Sequence, residues 1–204
     1  MLSTKDGKMI ILSSPSGAGK TTLVKKISRR SNYKISVSHT TREPRSNEKN
    51  GEDYFFVSKK KFQSLIEEKA FLEYANVFKN LYGSTKKQVF KNLDSGFNVL
   101  FDIDWQGTQQ IKSQILNYEL ISFFILPPSK EVLLQRLISR GESDKEIIKM
   151  RMEQFDKDVL HWKDYDFVVI NEDLDKCYNE IIGYLENKID YNKNDIEEHI
   201  KKLI

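Results

Sequence analysis

The sequence contains a single cysteine, Cys177, among 204 residues. One thiol cannot form a disulfide within the chain, so a disulfide-stapled fold is excluded and a reducing compartment suits the composition. No apolar run approaches the roughly 18 residues that a membrane-spanning helix needs. The first residues, MLSTKDGK, contain no apolar stretch of the kind found in signal peptides. We therefore expect a cytoplasmic protein without a membrane partner.

The chain also lacks a strong excess of charge of either sign. It has 33 Lys and Arg residues against 30 Asp and Glu residues, which gives a formal net charge of +3. Proteins that bind nucleic acid usually carry a strongly basic face, so we expect no nucleic-acid partner. Local basic clusters around a small anion remain compatible with this balance. The length suits one compact domain, and the sequence is compatible with a monomer or a homodimer.

Short apolar segments alternate with segments of helical periodicity. Strands are predicted at 9–14, 35–38, 54–57, 98–104, 121–126 and 167–171, and helices at 20–30, 58–72, 85–94, 129–139, 143–160 and from 173 onwards. Strands separated by helices predict parallel βαβ units. The tail from Ile189 is rich in Lys, Asn, Asp and Glu, and we expect it to be an exposed helix or a frayed end.

The segment Ser13–Thr22, SSPSGAGKTT, lies between a predicted strand and a predicted helix. The P-loop pattern in this context is G-x-x-x-x-G-K-[ST], and the chain departs from it at the first position, Ser14. Glycines allow backbone N–H groups to converge on one anion, and the helix N-terminus adds positive potential. The alternative is an ordinary glycine-rich turn. The predicted ATP-binding residues are Ser14, Pro15, Ser16, Gly17, Ala18, Gly19, Lys20 and Thr21.

Two further groups of residues extend this interpretation. Lys20 is expected to reach the β- and γ-phosphates, and the Thr21 hydroxyl to hold Mg²⁺. Asp102 ends a predicted strand and is the second candidate ligand of Mg²⁺, through water, unless it only terminates the strand. Arg42 and Arg45 flank a proline, and because guanidinium groups match phosphate oxygens they predict a second phosphate site. A solvated basic face is the alternative.

A P-loop alone leaves motor, GTPase, transporter and kinase functions open. Over nearly all of residues 8–185, however, the order and spacing of several motifs resemble the guanylate kinase family, which makes GDP from GMP and ATP. The stretches that carry the resemblance are SSPSGAGKTT, SVSHTTREPRSNEKNGEDYFF, FLEYA, YGST, LFDIDWQG, RLISRGESDKEIIKMRM and VVINEDLD.

The resemblance implies an α/β fold with a parallel-sheet P-loop kinase core, a small GMP-binding domain and a helical lid. The whole chain, 1–204, is then one guanylate-kinase-like domain. The core is expected at about 1–34, 96–128 and 156–204, the GMP-binding segment at about 35–95, and the lid at about 129–155.

The resemblance also assigns roles to individual residues. The expected ligands of the GMP phosphate are Arg42, Arg45, Tyr54 and Tyr82. The expected guanine-binding residues are Ser38, Glu73, Ser84 and Asp104. The expected lid residues are Arg136, which binds ATP, and Arg140 and Arg151, which act in catalysis with Lys20. Asn171 is expected near the adenine of ATP. Asn47 stands where the family usually has Gly, and because Asn tolerates a left-handed backbone we expect the turn to survive.

These observations are compatible with three alternative functions. The first is transfer of the γ-phosphoryl group of MgATP to GMP, and also to dGMP, within purine nucleotide metabolism. The second is a guanylate-kinase-like scaffold that has lost this chemistry, although the chain retains Lys20, Thr21, Asp102, Arg140 and Arg151. The third is a kinase for another monophosphate or a small alcohol. Glu73 bears on this third alternative, because a carboxylate offers two acceptors to the adjacent N1–H and 2-amino group of guanine.

Overall fold

A computed structural model describes residues 6–139 and 145–204. In chain order the elements are β1 Met9–Ser13, α1 Lys20–Ile27, β2 Tyr33–Ile35, β3 His39–Thr40, β4 Phe55–Phe56, α2 Lys59–Glu67, β5 Phe71–Val77, β6 Asn80–Thr85, α3 Lys86–Asp94, β7 Asn98–Asp102, α4 Trp105–Lys112, β8 Leu120–Leu126, α5 Lys130–Ser139, α6 Lys145–Asp158, β9 Phe167–Ile170, α7 Leu174–Leu185 and α8 Lys193–Leu203. A short 3-10 helix, Val159–Asp164, follows α6. This mixed α/β architecture with parallel strand pairs confirms the predicted fold class.

The chain divides into two compact units. The first comprises the chain up to Ile10 and Arg30–Leu120, and the second comprises Ile11–Arg29 and Ile121–Ile204. The predicted GMP-binding segment, 35–95, therefore lies wholly in the first unit, and the described part of the predicted lid lies in the second. Strand β1 begins in one unit and ends in the other.

The first unit contains two groups of strands. Strand β2 pairs in parallel with β7, and the hydrogen-bonded order there is β2-β7-β1. A separate four-stranded sheet has the order β4-β3-β6-β5. In this sheet β6 runs antiparallel to both β3 and β5. Strand β5 is last in the order and is therefore an edge strand. The side chains of Phe62 and Val89 are fully buried and contribute to the core of this unit.

The second unit carries the end of β1 together with β8 and β9, in the order β1-β8-β9. Strands β8 and β9 are parallel, with Phe123 opposite Phe167. Strand β1 is apolar and buried along its length, as expected for a strand covered on both faces. The last pairing continues into the loop, where the Asn171 N–H donates to the Leu126 carbonyl at 2.8 Å.

Three predicted boundaries in the first unit are wrong. The helix predicted at 58–72 starts after a Ser58 cap, as expected, but ends at Glu67. Lys69 then adopts a left-handed backbone with φ +52°, which a helix cannot continue through, and Phe71 opens a strand instead. The strand predicted at 35–38 lies at Tyr33–Ile35. The strand predicted to reach Asp104 ends at Asp102.

The prediction for the tail, an exposed helix or a frayed end, is also wrong in part. The tail contains a helix, α8, but one face of this helix is buried. Ile196, Ile200 and Leu203 are at most 7% exposed, and their spacing places them on one side of the helix. The Nε2 atom of His199 hydrogen-bonds to the Pro127 carbonyl at 3.1 Å. The helix is therefore packed against its own unit. Across the two described ranges, no helix has the length and apolar character that crossing a bilayer requires.

Candidate active site

The predicted phosphate loop connects β1 to α1 and has two glycines with φ +98°, Gly17 and Gly19. A Cβ atom at Gly19 would lie 2.2 Å from the Asn171 Nδ2 atom, and one at Gly17 would lie 2.8 Å from Leu133 Cδ1. Both positions therefore require glycine for the backbone conformation and for the close approach of neighbours. The loop also forms an internal turn, in which the Ala18 N–H donates to the Pro15 carbonyl at 3.4 Å.

The Ala18 carbonyl accepts hydrogen bonds from two side chains elsewhere in the second unit. Asn171 donates to it from Nδ2 at 2.7 Å, and Arg136 donates to it at 3.4 Å. A second nitrogen of Arg136 donates to the Asn171 carbonyl at 2.9 Å. The structure thus brings the predicted ATP residues Arg136 and Asn171 against the loop backbone. Asn171 is buried, and its Oδ1 atom has no hydrogen-bond partner within the described parts of the chain.

Lys20 and Thr21 are the first two residues of α1. Gly19, at the N-cap, supplies no side-chain acceptor to the first turn, and that turn contains no acidic residue. The first N–H groups of a helix lack intrahelical acceptors and carry the positive end of the helix dipole. This end of α1 is therefore suited to an anion. Lys20 is half-buried, and Thr21 is exposed beside it.

Of the two arginines predicted to act in catalysis, the structure describes one. Arg151 lies on α6 and is half-buried. Arg140 falls outside the described residues. Helix α6, which carries Arg151, also forms an ion pair with α5, between Lys130 and Asp156 at 2.7 Å.

In the first unit, Glu73 lies on β5 and is only 3% exposed. Its Oε1 atom accepts the backbone N–H of Ser84, directly opposite on β6, at 2.9 Å. The hydroxyl groups of Ser84 and Ser38 are 3.3 Å apart and both residues are buried. A buried carboxylate needs partners of this kind, since burial without hydrogen bonds is costly. The structure thus brings three of the four predicted guanine-binding residues together.

The fourth, Asp104, is the N-cap of α4. Its Oδ1 atom accepts the Gly107 N–H at 3.0 Å, and its Oδ2 atom accepts a hydrogen bond from the Gln106 side chain at 2.9 Å. Helix α4 also packs closely on Glu73, because a Cβ atom at Gly107 would lie 2.5 Å from the Glu73 Oε2 atom. Asp104 therefore lies on the helix that contacts Glu73, with its carboxylate engaged in capping.

Arg42 and Arg45 are both bonded to Glu48, which is not among the residues predicted from the sequence. One guanidinium nitrogen of Arg42 donates to both carboxylate oxygens of Glu48, at 2.8 and 2.9 Å. The Arg45 N–H donates to the same carboxylate at 2.8 Å. Burial would raise the pKa of Glu48, but these hydrogen bonds outweigh it and the pKa is lowered. Spacing offers one signal for Glu48, since it follows Arg45 by three residues.

The turn before Glu48 forms without a left-handed backbone conformation at Asn47. The Glu48 N–H donates to the Arg45 carbonyl at 3.0 Å, so the turn expected around Asn47 is present. Asn47 is not among the residues with positive φ. The segment instead folds back because Glu48 bonds to both arginines.

Tyr54 and Tyr82 complete this cluster, with ring centroids 5.9 Å apart. The Arg42 guanidinium lies over the Tyr54 ring at 5.5 Å. Burial raises the pKa of Tyr54, and the charge of Asp102 raises it further. Burial lowers the pKa of Arg42, whereas Glu48 and Tyr82 raise it and prevail. The four residues predicted to bind the GMP phosphate therefore include three in mutual contact, with Arg45 attached through Glu48.

Comparisons with known proteins identify the family of the chain. The protein-family model described as guanylate kinase matches residues 6–188. The chain belongs to the guanylate kinase family. It is similar to a guanylate kinase of Hyphomonas neptunium, 42% identical over 97% of this chain and 92% of that protein. It is also similar to one of Shewanella violacea, 43% identical over 91% and 89% respectively.

A solved structure gives the same result for the fold. The crystal structure of guanylate kinase from Anaplasma phagocytophilum superposes with a TM-score of 0.73 at 33% identity, covering 90% of this chain and 87% of that one. The resemblance inferred from the motifs is thus confirmed. Helix α8 begins after the last residue matched by the guanylate kinase family model, which ends at 188.

Proposed function

We propose that this chain transfers the γ-phosphoryl group of ATP to GMP, giving GDP and ADP. Membership of the guanylate kinase family supports the reaction. The observation that carries the choice of acceptor is the buried Glu73 carboxylate, held by the Ser84 N–H at 2.9 Å. Guanine presents two adjacent donors to such a group, whereas adenine presents an acceptor at N1 and no 2-amino group. dGMP carries the same base, and we propose it as a second acceptor.

The arginine and tyrosine cluster of the first unit is proposed to bind the phosphate of GMP. Glu48 holds Arg42 by two hydrogen bonds and so limits the conformational freedom that would be lost on binding. Guanidinium groups and tyrosine hydroxyls are suitable donors to phosphate oxygens. The buried hydroxyls of Ser38 and Ser84 are proposed to donate to guanine O6, where adenine has an amino group.

The loop Ser14–Gly19 and the start of α1 are proposed to bind the phosphates of ATP. The support lies in the positive φ of Gly17 and Gly19 and in the helix N-terminus that follows them. Lys20 is proposed to neutralise charge on the β- and γ-phosphates. Arg136 and Asn171 are proposed to hold the loop in its binding conformation through the Ala18 carbonyl, and Asn171 also to approach the adenine.

Mg²⁺ is proposed to enter with ATP. Magnesium usually binds one or two protein oxygens together with substrate phosphates and water, and the Thr21 hydroxyl and the Asp102 carboxylate supply oxygens of this kind. When bound, the ion neutralises charge on the transferring group. Arg151 and Arg140 are proposed to stabilise the same charge. We propose the cytoplasm as the compartment, where both nucleotides are available.

The reaction needs no covalent intermediate on the protein. An oxygen of the GMP phosphate forms the new bond to the γ-phosphorus, and the bond between that phosphorus and the β–γ bridging oxygen breaks, releasing ADP. The protein contributes binding, orientation and electrostatic stabilisation. Such a site discriminates between acceptors through the groups that pair with the base.

The test is an acceptor screen. Purified protein with MgATP is incubated with GMP, dGMP, AMP, CMP or UMP, and diphosphates are separated by anion-exchange chromatography. A Lys20→Met preparation serves as the control for a contaminating kinase. We expect GMP to be preferred over AMP by about 10⁴ in kcat/KM, since buried polar groups of the site would be left unpaired by adenine. Equal use of AMP would favour another monophosphate kinase, and nucleotide binding without turnover would favour a scaffold.

A further inference from the structure

Two glutamine side chains form hydrogen bonds to the backbone of β5 on either side of Glu73. Gln110, on α4, accepts the Tyr74 N–H at 3.1 Å and donates to the Tyr74 carbonyl at 2.7 Å. Gln114, just beyond α4, donates to the Leu72 carbonyl at 2.8 Å. We refer to the side chains of Gln110 and Gln114 as the amide clamp. All of these residues lie in the first unit.

The amide clamp replaces a neighbouring strand. Strand β5 is at the edge of its sheet, and its inner side pairs with β6. An edge strand leaves a row of backbone donors and acceptors without a ladder partner. The primary amide of Gln110 offers one donor and one acceptor side by side, as a paired strand would. The result is that the residues before and after Glu73 are both fixed to the α4 segment.

The same helix also contacts the carboxylate itself. Gly107 lies one turn before Gln110, and a Cβ atom there would be 2.5 Å from the Glu73 Oε2 atom. The other carboxylate oxygen accepts the Ser84 N–H. The position of Glu73 is therefore determined by β6 on one side and by the α4 segment on the other.

We infer that Gln110 is a positioning residue for guanine recognition, which acts by holding the β5 backbone so that the Glu73 carboxylate meets both donors of the base. The inference rests on the proposed function. Two parallel hydrogen bonds to a planar base tolerate little displacement, and a misplacement of about 1 Å can reduce rates by about 10². Gln110 itself bonds to backbone and needs no contact with the nucleotide.

The first experiment compares Gln110→Met with Gln109→Met. Methionine has a similar length and lacks the amide, and Gln109 is an exposed residue on the same helix. We expect Gln110→Met to raise the KM for GMP roughly tenfold, because β5 and the Glu73 carboxylate are then held less accurately, with little change in the KM for ATP. The preference for GMP over AMP should fall with it. The control should match the wild type in all of these quantities.

The second experiment separates positioning from general stabilisation by a double-mutant cycle. If Gln110 acts through Glu73, Gln110→Met should cost far less than tenfold in kcat/KM for GMP when Glu73→Gln is already present. Equal costs in the two backgrounds would overturn the inference, as would unchanged GMP kinetics in Gln110→Met. Should that variant not fold, Gln114→Met, which removes the bond to Leu72, is measured in the same cycle.

Failure of the proposed function gives a different pattern. If the wild type does not phosphorylate GMP, or Glu73→Gln leaves GMP kinetics unchanged, guanine reading by Glu73 is wrong and this inference falls with it. If Glu73→Gln lowers kcat/KM for GMP but its effect adds independently to that of Gln110→Met, guanine binding by Glu73 is supported. Only the positioning role of Gln110 is then rejected.

Discussion

Replacing Glu73 by Gln tests the proposal that its carboxylate binds guanine, and the hydrogen bond from Ser84 indicates how the new amide should be oriented. The Ser84 N–H requires an acceptor at the position of Oε1, 2.9 Å away. The amide oxygen should therefore occupy that position, and the amino group should take the place of Oε2 beside Gly107. A donor then faces a donor of guanine, and the shape of the side chain is unchanged.

The expected magnitude follows from these two changes. Loss of one hydrogen bond to a charged group costs about 1.5–3 kcal/mol, and the opposed donors add about 1 kcal/mol of desolvation cost at the low end of the usual range. Each 1.36 kcal/mol corresponds to about tenfold. We therefore expect kcat/KM for GMP to fall by about 10²–10³, chiefly through KM, with ATP binding unchanged.

The assay is ADP release measured with GMP and with AMP for the wild type, Glu73→Gln and Glu67→Gln. Glu67 is an exposed residue at the end of α2, and its substitution controls for the loss of one negative charge in the same unit. Unchanged GMP kinetics in Glu73→Gln would refute the reasoning. Comparable use of AMP by the wild type would refute it as well.

Three further predictions concern other parts of the chain. Lys20→Met should lower kcat by about 10²–10³, as for loss of one preorganised electrostatic contact, without changing the unfolding midpoint; near-normal turnover would remove Lys20 from catalysis. Because the pKa of Glu48 is lowered in the folded protein, its ion pair with Arg42 stabilises the fold above the ordinary Glu pKa of 4.5 and loses that contribution as pH falls through the lowered value. The stability difference between wild type and Glu48→Gln should follow this course in denaturant titrations at several pH values, and a pH-independent difference would contradict it. Ile200→Ala should reduce the free energy of unfolding by about 2–4 kcal/mol, whereas Ile204→Ala, at a position 62% exposed, should change it by less than about 0.5 kcal/mol; equal effects would mean that α8 is not packed.

Much of the P-loop region was predictable because its signals are local. A short apolar run followed by glycines and Lys-Thr indicates a strand, a turn and a helix, and β1 and α1 are found there. The ends are less predictable, since α1 stops at Ile27 rather than near residue 30. The contacts of Arg136 and Asn171 with Ala18 join residues more than 100 positions apart, and no local pattern encodes them.

The hairpin that carries Glu73 was missed for a specific reason. Its turn places Phe78 and Lys79 at φ +48° and +68°, where turn signals would normally require Gly or Asn. No glycine or proline separates α2 from β5 either, because Lys69 takes the left-handed position itself. The family resemblance therefore predicts Glu73 as a guanine ligand, although the local structure predicted for it was wrong.

Helix α4 was not predicted at all, since its sequence, WQGTQQIK, contains a glycine and few apolar residues. Its amide side chains are explained by the edge of β5, which is a feature of the tertiary structure. The role of Glu48 is similar, because its partner Arg42 lies six residues away across an irregular loop. Polar residues that organise backbone or other side chains leave no periodic signal.

A label-transfer measurement follows the γ-phosphoryl group of ATP itself to its acceptor. ATP labelled in its γ-phosphoryl group is incubated with the protein, Mg²⁺ and either GMP, AMP or no acceptor. We predict that the label appears in GDP, that it does so only when GMP is present, and that it appears at the rate of ADP release. Label found chiefly as inorganic phosphate, or transferred equally well to AMP, would contradict it.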